Sequence, residues 1–485
     1  MPPLKNAQQG DYDRPAPHHI SVTSGSRYQK KDLFSRILGV GTDEPKTTTV
    51  STFPRQIVAR TVSAFLPTDY KNSVAPEYLS YAKWQFVHNV LGSASGVLAT
   101  QAMLYAMGLG AGALPLSAAI NWVIKDGFGQ FGGVVYATMV GQKFDSDPKH
   151  LRFWSTVWLQ TATWLEMLTP LVPHMFLVIG SVANIGKNIS WLAISATKAS
   201  INKTFCLKEN LGDLTAKHGS QATAAGLIGT AIGILVGATA DISIYTLILG
   251  FVPISFVSLW GNYMSLLYTI TPTLNVERSR LMLKDALTHS ADGRLVFSPQ
   301  LLKTPRQVSA VERFMREIRH VEAQGLQPGI IVSPKLDQLN RDVRLYRDAD
   351  SAQACVSRMV NDAFNKPAVN GANKAYYLGY LPQSAANSST NGNLHLWFST
   401  RAGNKDILLG FYHALVLREL IGYHSSRPGS SHVSNTTAIA DLEDRAREFV
   451  ECTADIFCGS VVQQGWDVTT MYFSKKSDLV EVEVI

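Results

Sequence analysis

Cysteine is scarce in this chain, and so is every familiar mark of catalysis. Among 485 residues there are four cysteines, Cys206, Cys355, Cys452 and Cys458. None forms a CxxC pair and no His stands at zinc-like spacing, which excludes the usual disulfide frameworks and structural zinc sites. Scattered thiols fit a reducing compartment. No HExxH, Walker A loop, nucleophile elbow or paired-carboxylate motif occurs. The sequence therefore implies no enzyme, no metal and no cofactor. Residues 1–50 hold no apolar run, so no signal peptide is expected, and Asp11, Asp13, Asp32, Asp43 and Glu44 argue against a transit peptide. The net charge of +7 is modest, and the basic residues lie at the edges of apolar runs. They form no stripe with interleaved aromatics, so nucleic acid is not an expected partner; a membrane surface is.

Charge itself is missing from the middle. The chain has 44 Lys and Arg and 37 Asp and Glu, yet only 16 of these fall between Val90 and Val276. A spanning helix needs about 20 mostly apolar residues. Six runs meet or approach that: Val90–Gly108, Pro115–Gly141, Phe153–Leu168, His174–Ile194, Ala222–Ala240 and Ile242–Ile270. Pro253 should kink the last. Basic connections alternate with neutral ones. Lys143, Lys149 and Arg152 follow the second run; Lys198, Lys203, Lys208 and Lys217 follow the fourth; Arg278 and Arg280 follow the sixth. The positive-inside rule then puts the basic loops and both termini on the cytoplasmic-equivalent side. The competing expectation is a soluble protein with large buried helices, which the short third run and the interrupted fourth would suit.

The expected fold is mainly α: a polytopic membrane helical bundle of about six spans, followed by a smaller soluble α+β domain. Residues 1–60, rich in Pro, Ser, Thr and Gly, read as a disordered basic-edged segment. Residues 61–276 are the membrane-embedded part, 277–370 a helical linker and 371–485 the soluble domain. In the last, 374–381 and 394–400 read as strands around a flexible SAANSSTNGN loop, and 466–473 as a closing strand. Asp406–Ile421 and Ala438–Val462 read as helices, and 425–437 as a loop.

Small residues recur through the apolar runs. Gly229, Gly233 and Gly237 give two GxxxG steps, which suit close helix packing within the bundle. Gly127-Phe-Gly129-Gln-Phe-Gly132 spells GxGxxG. A dinucleotide site would need βαβ alternation around it, whereas the surroundings read as long helices. Lys125 and Asp126 are the most informative charges. At mid-bilayer a charge faces a bundle interior and finds a partner. Neighbours on a helix point about 100° apart, so their partners are expected on other helices, with Glu166 and Lys187 as candidates. Two readings stay open: a polar pathway centred on Asp126, or a structural ion pair.

Several ordered blocks carry a resemblance. They are FLPTDYKNSVAPEYLSYAKWQ (65–85), SGVLATQAML (95–104), NWVIKDGFGQFGG (121–133), GQKFDSDPKHLRFW (141–154), LEMLTPLVPHMF (165–176), VANIGKNIS (182–190) and NLGDLTAKHGSQAT (210–223). With GNKDILLGFYHALVLREL (403–420), they resemble the root UVB sensitive family. Its plant members are associated with ultraviolet-B responses, auxin transport and vitamin B6 homeostasis, and its animal members are regarded as membrane proteins. The resemblance names a relative without naming a reaction. FLPTDY in place of a Gly-Tyr-Pro form and the Ser/Asn-rich insert at 384–393 depart from the family pattern.

The expectation is thus a multi-pass membrane protein that transports or senses a small solute. Its intramembrane polar core would comprise Lys125, Asp126, Glu166, Asn184 and Lys187. A loop motif of Asn210, Asp213, Lys217, Ser220 and Gln221 would serve as gate or docking surface. Alternatives are a membrane scaffold acting through its C-terminal domain, or a vitamin B6-linked homeostasis factor. Expected partners are the lipid bilayer and a related family member or second copy; the organelle stays open.

Overall fold

The computed structural model describes residues 64–108, 116–140, 147–239, 244–316, 320–324, 326–334, 357, 359, 375–382, 392–426 and 436–473. The expected disordered segment, the neutral loop at 109–115, most of 335–374, and the loops at 384–391 and 427–435 lie outside them.

Each of the six apolar runs is a helix: α1 Tyr78–Ala106, α2 Leu116–Val140, α3 Pro148–Met167, α4 Phe176–Phe205, α5 Leu211–Thr239 and α6 Ile244–Leu267. Asp147 caps α3, its carboxylate accepting from the His150 amide, and Pro148 fills the first position, where a missing N–H costs nothing. Among the described residues three helices are long and apolar enough to cross a membrane, over Pro173–Phe205, Leu211–Ala238 and Tyr245–Leu267. That is half the number expected from hydropathy. In α3, one of the remaining three, the first turns carry Lys149 and Arg152 and are docked on other protein.

Three helices also outrun their apolar segments. α1 begins 12 residues before Val90, α4 continues to Phe205, and α5 begins at Leu211. The loop expected to hold Lys198, Lys203, Lys208 and Lys217 therefore shrinks to residues 206–210. Lys198, Lys203 and Lys217 stand on helices. Hydropathy marks only the apolar part of a helix whose end is polar.

Contacts fix the direction of each helix. Gly229 of α5 meets Val90 of α1, and Gly237 meets Gln101, so α1 and α5 run parallel. Ser265 and Ser258 of α6 bond Gln85 and His88 of α1, so α6 runs against it. Arg152 of α3 reaches Ile194 of α4, while Glu166 reaches Lys187, an antiparallel pair. Gly129 and Gly133 of α2 meet Asn184 and Asn188 of α4, so those two run together, and Asn202 of α4 meets Thr215 near the start of α5. The six helices thus alternate in direction. The N-terminal ends of α1, α3 and α5 share one end of the bundle with the C-terminal ends of α2, α4 and α6.

The outer faces are apolar. Val123, Phe131, Val134, Leu227, Leu235, Tyr245, Leu249 and Phe256 are all exposed. Buried positions instead include Ser95, Gln160, Thr163, Ser255, Ser258, Asn262 and Ser265. A water-soluble protein sorts these groups the other way.

After α6 the chain enters an α/β region. β1 (Thr273–Asn275) leads into α7 (Val276–Leu283), the hairpin β2 (Leu287–His289) and β3 (Leu295–Phe297), and α8 (Pro305–Val311). β4 (Gly329–Val332) pairs parallel with β6 (Asn393–Phe398), which pairs antiparallel with β5 (Tyr376–Leu381). α9 (Asn404–Ser425) and α10 (Thr436–Gln463) follow. The strand expected to close the sheet, β7 (Asp467–Tyr472), pairs instead with β1, beside the exit from α6. One core joins Leu274, Met282, Ile330, Leu396, Phe411 and Phe457. It crosses the boundary drawn at residue 370, so the described part of the linker is packed domain.

Candidate functional site

The expected polar core divides into two pairs, both anchored on α4. Lys125 and Asp126 do not reach Glu166 or Lys187. Lys125 Nζ lies 2.8 Å from the Asp126 carboxylate and 4.4 Å from the Trp122 ring centroid. Its long stem folds back along its own helix, which the 100° rule for short side chains does not forbid. The partner from another helix is Asn184, whose side-chain N–H₂ donates to Asp126 Oδ1 at 3.0 Å and to the Lys125 carbonyl at 3.1 Å. One turn along α4, Lys187 is ion-paired with Glu166 of α3. Gly129 and Gly132 sit against Asn184 and Ile185. The GxGxxG spelling therefore marks helix contact positions inside α2.

The expected loop motif is the start of α5. Asp213 accepts from the Thr68 amide at 2.7 Å, and Gln221 donates to the Phe65 carbonyl at 2.6 Å and to the Tyr78 hydroxyl at 3.2 Å. Ser220 bonds the Ala216 carbonyl one turn back. Asn210 precedes the helix with its carbonyl accepting from Leu214; Lys217 lies on the helix between Asp213 and Gln221. These residues fasten the segment before α1, and they are not brought together with the polar core.

A different feature dominates the interior. The parallel pair α1–α5 and the antiparallel pair α3–α4 diverge around a cavity of about 960 Å³. On α5 its lining reaches from His218 to Ala238, about 30 Å at 1.5 Å per residue. Arg152, Lys187 and Lys198 contribute to its wall, and among the described residues no carboxylate does. Arg152 is 5% exposed; its Nη1 donates to the Ile194 carbonyl at 2.9 Å, and its Nε has no hydrogen-bond partner. His218 Nδ1 lies 3.1 Å from Asn202 Oδ1, and Gln160 Nε2 is buried without a partner. Sequence reading placed Arg152 and Lys198 in basic loops and His218 at a span edge. The available signal was spacing: Lys149 and Arg152 stand three apart, as do Ser195 and Lys198, so each basic residue shares a face with the bundle.

At the basic end the bundle is clamped to the α/β region by four charged groups. Lys149 Nζ contacts Ser309 Oγ at 2.7 Å and Glu312 at 3.0 Å. Arg278 Nε donates to Glu312 at 2.7 Å, and its Nη2 lies 3.7 Å from Asp147. Burial pushes the Glu312 carboxyl up, but the Arg278 and Lys149 charges beside it prevail and hold it down at about 2. Asp147 is pushed up to about 6 by burial, which Arg278 offsets only in part. Trp154 Nε1 donates to the Met315 carbonyl at 2.8 Å, closing the same contact. Among the described residues no group of His, Cys, Asp and Glu is placed to hold a metal ion.

An alternating helical bundle, apolar outside and polar within, with a long, partly open cavity between its helices and a docked α/β region, defines the class. Residues 52–290 match the family described as the vitamin B6 photo-protection and homoeostasis domain. The chain belongs to the root UVB sensitive family. It is 38% identical to protein root UVB sensitive 4 of Arabidopsis thaliana over 172 residues, 35% of this chain and 32% of that one. It is 26% identical to Arabidopsis root UVB sensitive 6 over 458 residues, 92% of this chain and 81% of that one. RUS family member 1 of Dictyostelium discoideum is 29% identical over 262 residues, 53% of this chain and 48% of that one. The aligned stretch spans about a third of root UVB sensitive 4 and 64% of root UVB sensitive 3. No solved structure matches the chain.

Proposed function

We propose that this is a multi-pass membrane protein that transports or senses a small solute through the cavity between its two helix pairs. The carrying observation is the cavity itself, whose wall runs along four helices for about the depth of a hydrocarbon core. The alternating helix directions suit six passes with both ends of the bundle's sequence on the basic side. The apolar outer faces suit lipid as the surrounding solvent. In this reading the chain catalyses no reaction, and vitamin B6 homeostasis, named in the family description, is one process such a solute could serve. A second copy or a related member is its further proposed partner.

The centre of the pathway moves from Asp126 to the wall holding Arg152, Gln160 and Lys187, because neither Lys125 nor Asp126 lines the cavity. Gly96 offers the test. It lines the cavity, and a Cβ there meets nothing within 4 Å. Gly96→Trp should insert and fold normally, resist alkaline carbonate extraction as wild type does, and fail to rescue a deletion strain. Asp126→Asn should rescue. Full rescue by the plugged variant would refute the cavity reading in favour of a scaffold acting through the C-terminal domain. Deleting residues 277–485 cannot make that distinction, because it strips Lys149 of Glu312.

A further inference from the structure

The cavity carries cations that the protein does not balance. Arg152 is buried, yet among the described residues no carboxylate lies within ion-pair distance of it, and its Nε has no partner. Lys198 stands one turn beyond Ile194, the residue whose carbonyl Arg152 holds. It lies within Coulombic reach of Arg152. Lys187, further along, is matched by Glu166. Among the described residues, then, two positive charges stay without a matching carboxylate at the basic end. Taking an arginine out of water without a counter-charge costs several kcal/mol, so such a group ordinarily acquires one. The rest of the wall is more apolar than polar in surface: Val97, Leu104, Trp191 and Ile234 contribute to it, with Gly92 and Gly96 as a flat ledge and Ser93, Thr100, Gln101 and Thr230 interspersed.

We infer that the cavity binds an amphiphilic anion, its phosphate or carboxylate head on the Arg152 fork beside Lys198 and its apolar body along α1 and α5. The inference rests on the cavity reading above and names its solute class. A planar guanidinium offers two parallel donors to such a head, and its neighbouring ammonium adds a point charge. The chemistry is shared by a soluble phosphate monoester and by an anionic lipid headgroup, and the test separates them.

The full-length protein is purified into phosphatidylcholine nanodiscs. Its thermal midpoint and binding isotherm are followed with inorganic phosphate, pyridoxine 5′-phosphate and pyridoxine, the last two differing only in the phosphate. A second preparation contains phosphatidylglycerol. Either pyridoxine 5′-phosphate stabilises while pyridoxine does not, identifying a soluble solute, or phosphatidylglycerol alone does, identifying a lipid. Lys198→Gln should weaken the response about tenfold to a hundredfold, the usual weight of one charged hydrogen bond. Arg152→Gln should abolish it. Arg152→Gln should also leave the ligand-free midpoint unchanged or higher, because it removes an unbalanced buried charge; a purely structural arginine would lower it. Stabilisation by pyridoxine as strong as by its phosphate, an undiminished response in Arg152→Gln, or no response to any of phosphate, pyridoxine 5′-phosphate and phosphatidylglycerol would overturn the inference. Gly96→Trp keeps the two ideas apart: if it abolishes rescue while every anion fails to bind, a solute cavity stands and the anionic class falls.

Discussion

Glu312→Gln should loosen the junction between the bundle and the α/β region. Glu312 faces two cations that are all but sealed from water, Lys149 with 0% and Arg278 with 1% of the side chain exposed. The amide keeps the shape and one acceptor but removes the charge. Lys149 would retain Ser309, and Arg278 would retain Thr273 and a distant Asp147. Breaking a buried pair in this way costs about 3–5 kcal/mol. The Arg306–Glu77 pair spans the same two regions, but Arg306 is 76% exposed, so Glu77→Gln should cost at most about 1 kcal/mol. Hydrogen exchange by mass spectrometry on the protein in detergent reads the difference locally. At 1.4 kcal/mol per tenfold, amides in residues 305–316 of Glu312→Gln should exchange about a hundred to several thousand times faster, with those of α6 unchanged. pH gives a second reading of the same groups. Glu312 is held below its ordinary value, so its contribution is complete above about pH 4.5 and is lost as pH falls towards 2. Asp147 is held above its ordinary value, so its charging opposes the fold above about pH 6 and that opposition is relieved on acidification. Wild type should therefore hold its junction at pH 5 and loosen it progressively between about pH 4.5 and 2, a transition that Glu312→Gln should lack. Exchange rates within threefold of wild type would refute the assignment of this network as the clamp.

Gly233→Ala should destabilise the bundle by about 1–3 kcal/mol, since its new Cβ would sit 2.7 Å from the Val97 Cβ and 3.0 Å from the Ala94 carbonyl. Gly219→Ala, with nothing within 4 Å, should be neutral or stabilise by about 0.5–1 kcal/mol; thermal midpoints in detergent compare the two. Lys187→Met should leave Glu166 buried and unpaired and lower the midpoint clearly, and adding Glu166→Gln should restore most of the loss; a double variant no better than the single would break the pairing.

Existence and order of the six helices were legible because long apolar runs admit few other structures. Their alternation was legible through the charges between them. Helix ends were not, since Tyr78–Asn89 and Leu211–Gln221 are polar enough to pass for loop while their buried faces hold Tyr81, Gln85 and His218. The pairing of Lys125 with its own neighbour was hidden because angular spacing describes where a side chain starts and not where a four-carbon stem ends. The region after Thr273 was read correctly in its strands and helices from residue 374 onward. It was missed between 273 and 334, where elements of three or four residues such as β1 and β4 are too short to show a period. Those short strands find their partners, β7 and β6, more than 60 residues away, a pairing that no local pattern encodes.

The most informative contrast lies within two turns of α3. Lys149 and Arg152 stand three residues apart and are both buried, at 0% and 5% exposure. Lys149 points into the junction, where Glu312 answers it and Asp147 and Arg278 complete a neutral set of four. Arg152 points towards the cavity, where no carboxylate answers it among the described residues. If burial of charge here served only to join helices, both cations would be expected to carry the same kind of partner, because the electrostatic penalty is the same in kind at both places. The fold supplies the counter-charge at the junction, and for Lys187 further along the cavity, but among the described residues it leaves Arg152 without one. Under the anion-binding inference, a cation left unbalanced beside an opening is positioned for a charge that arrives from outside the chain.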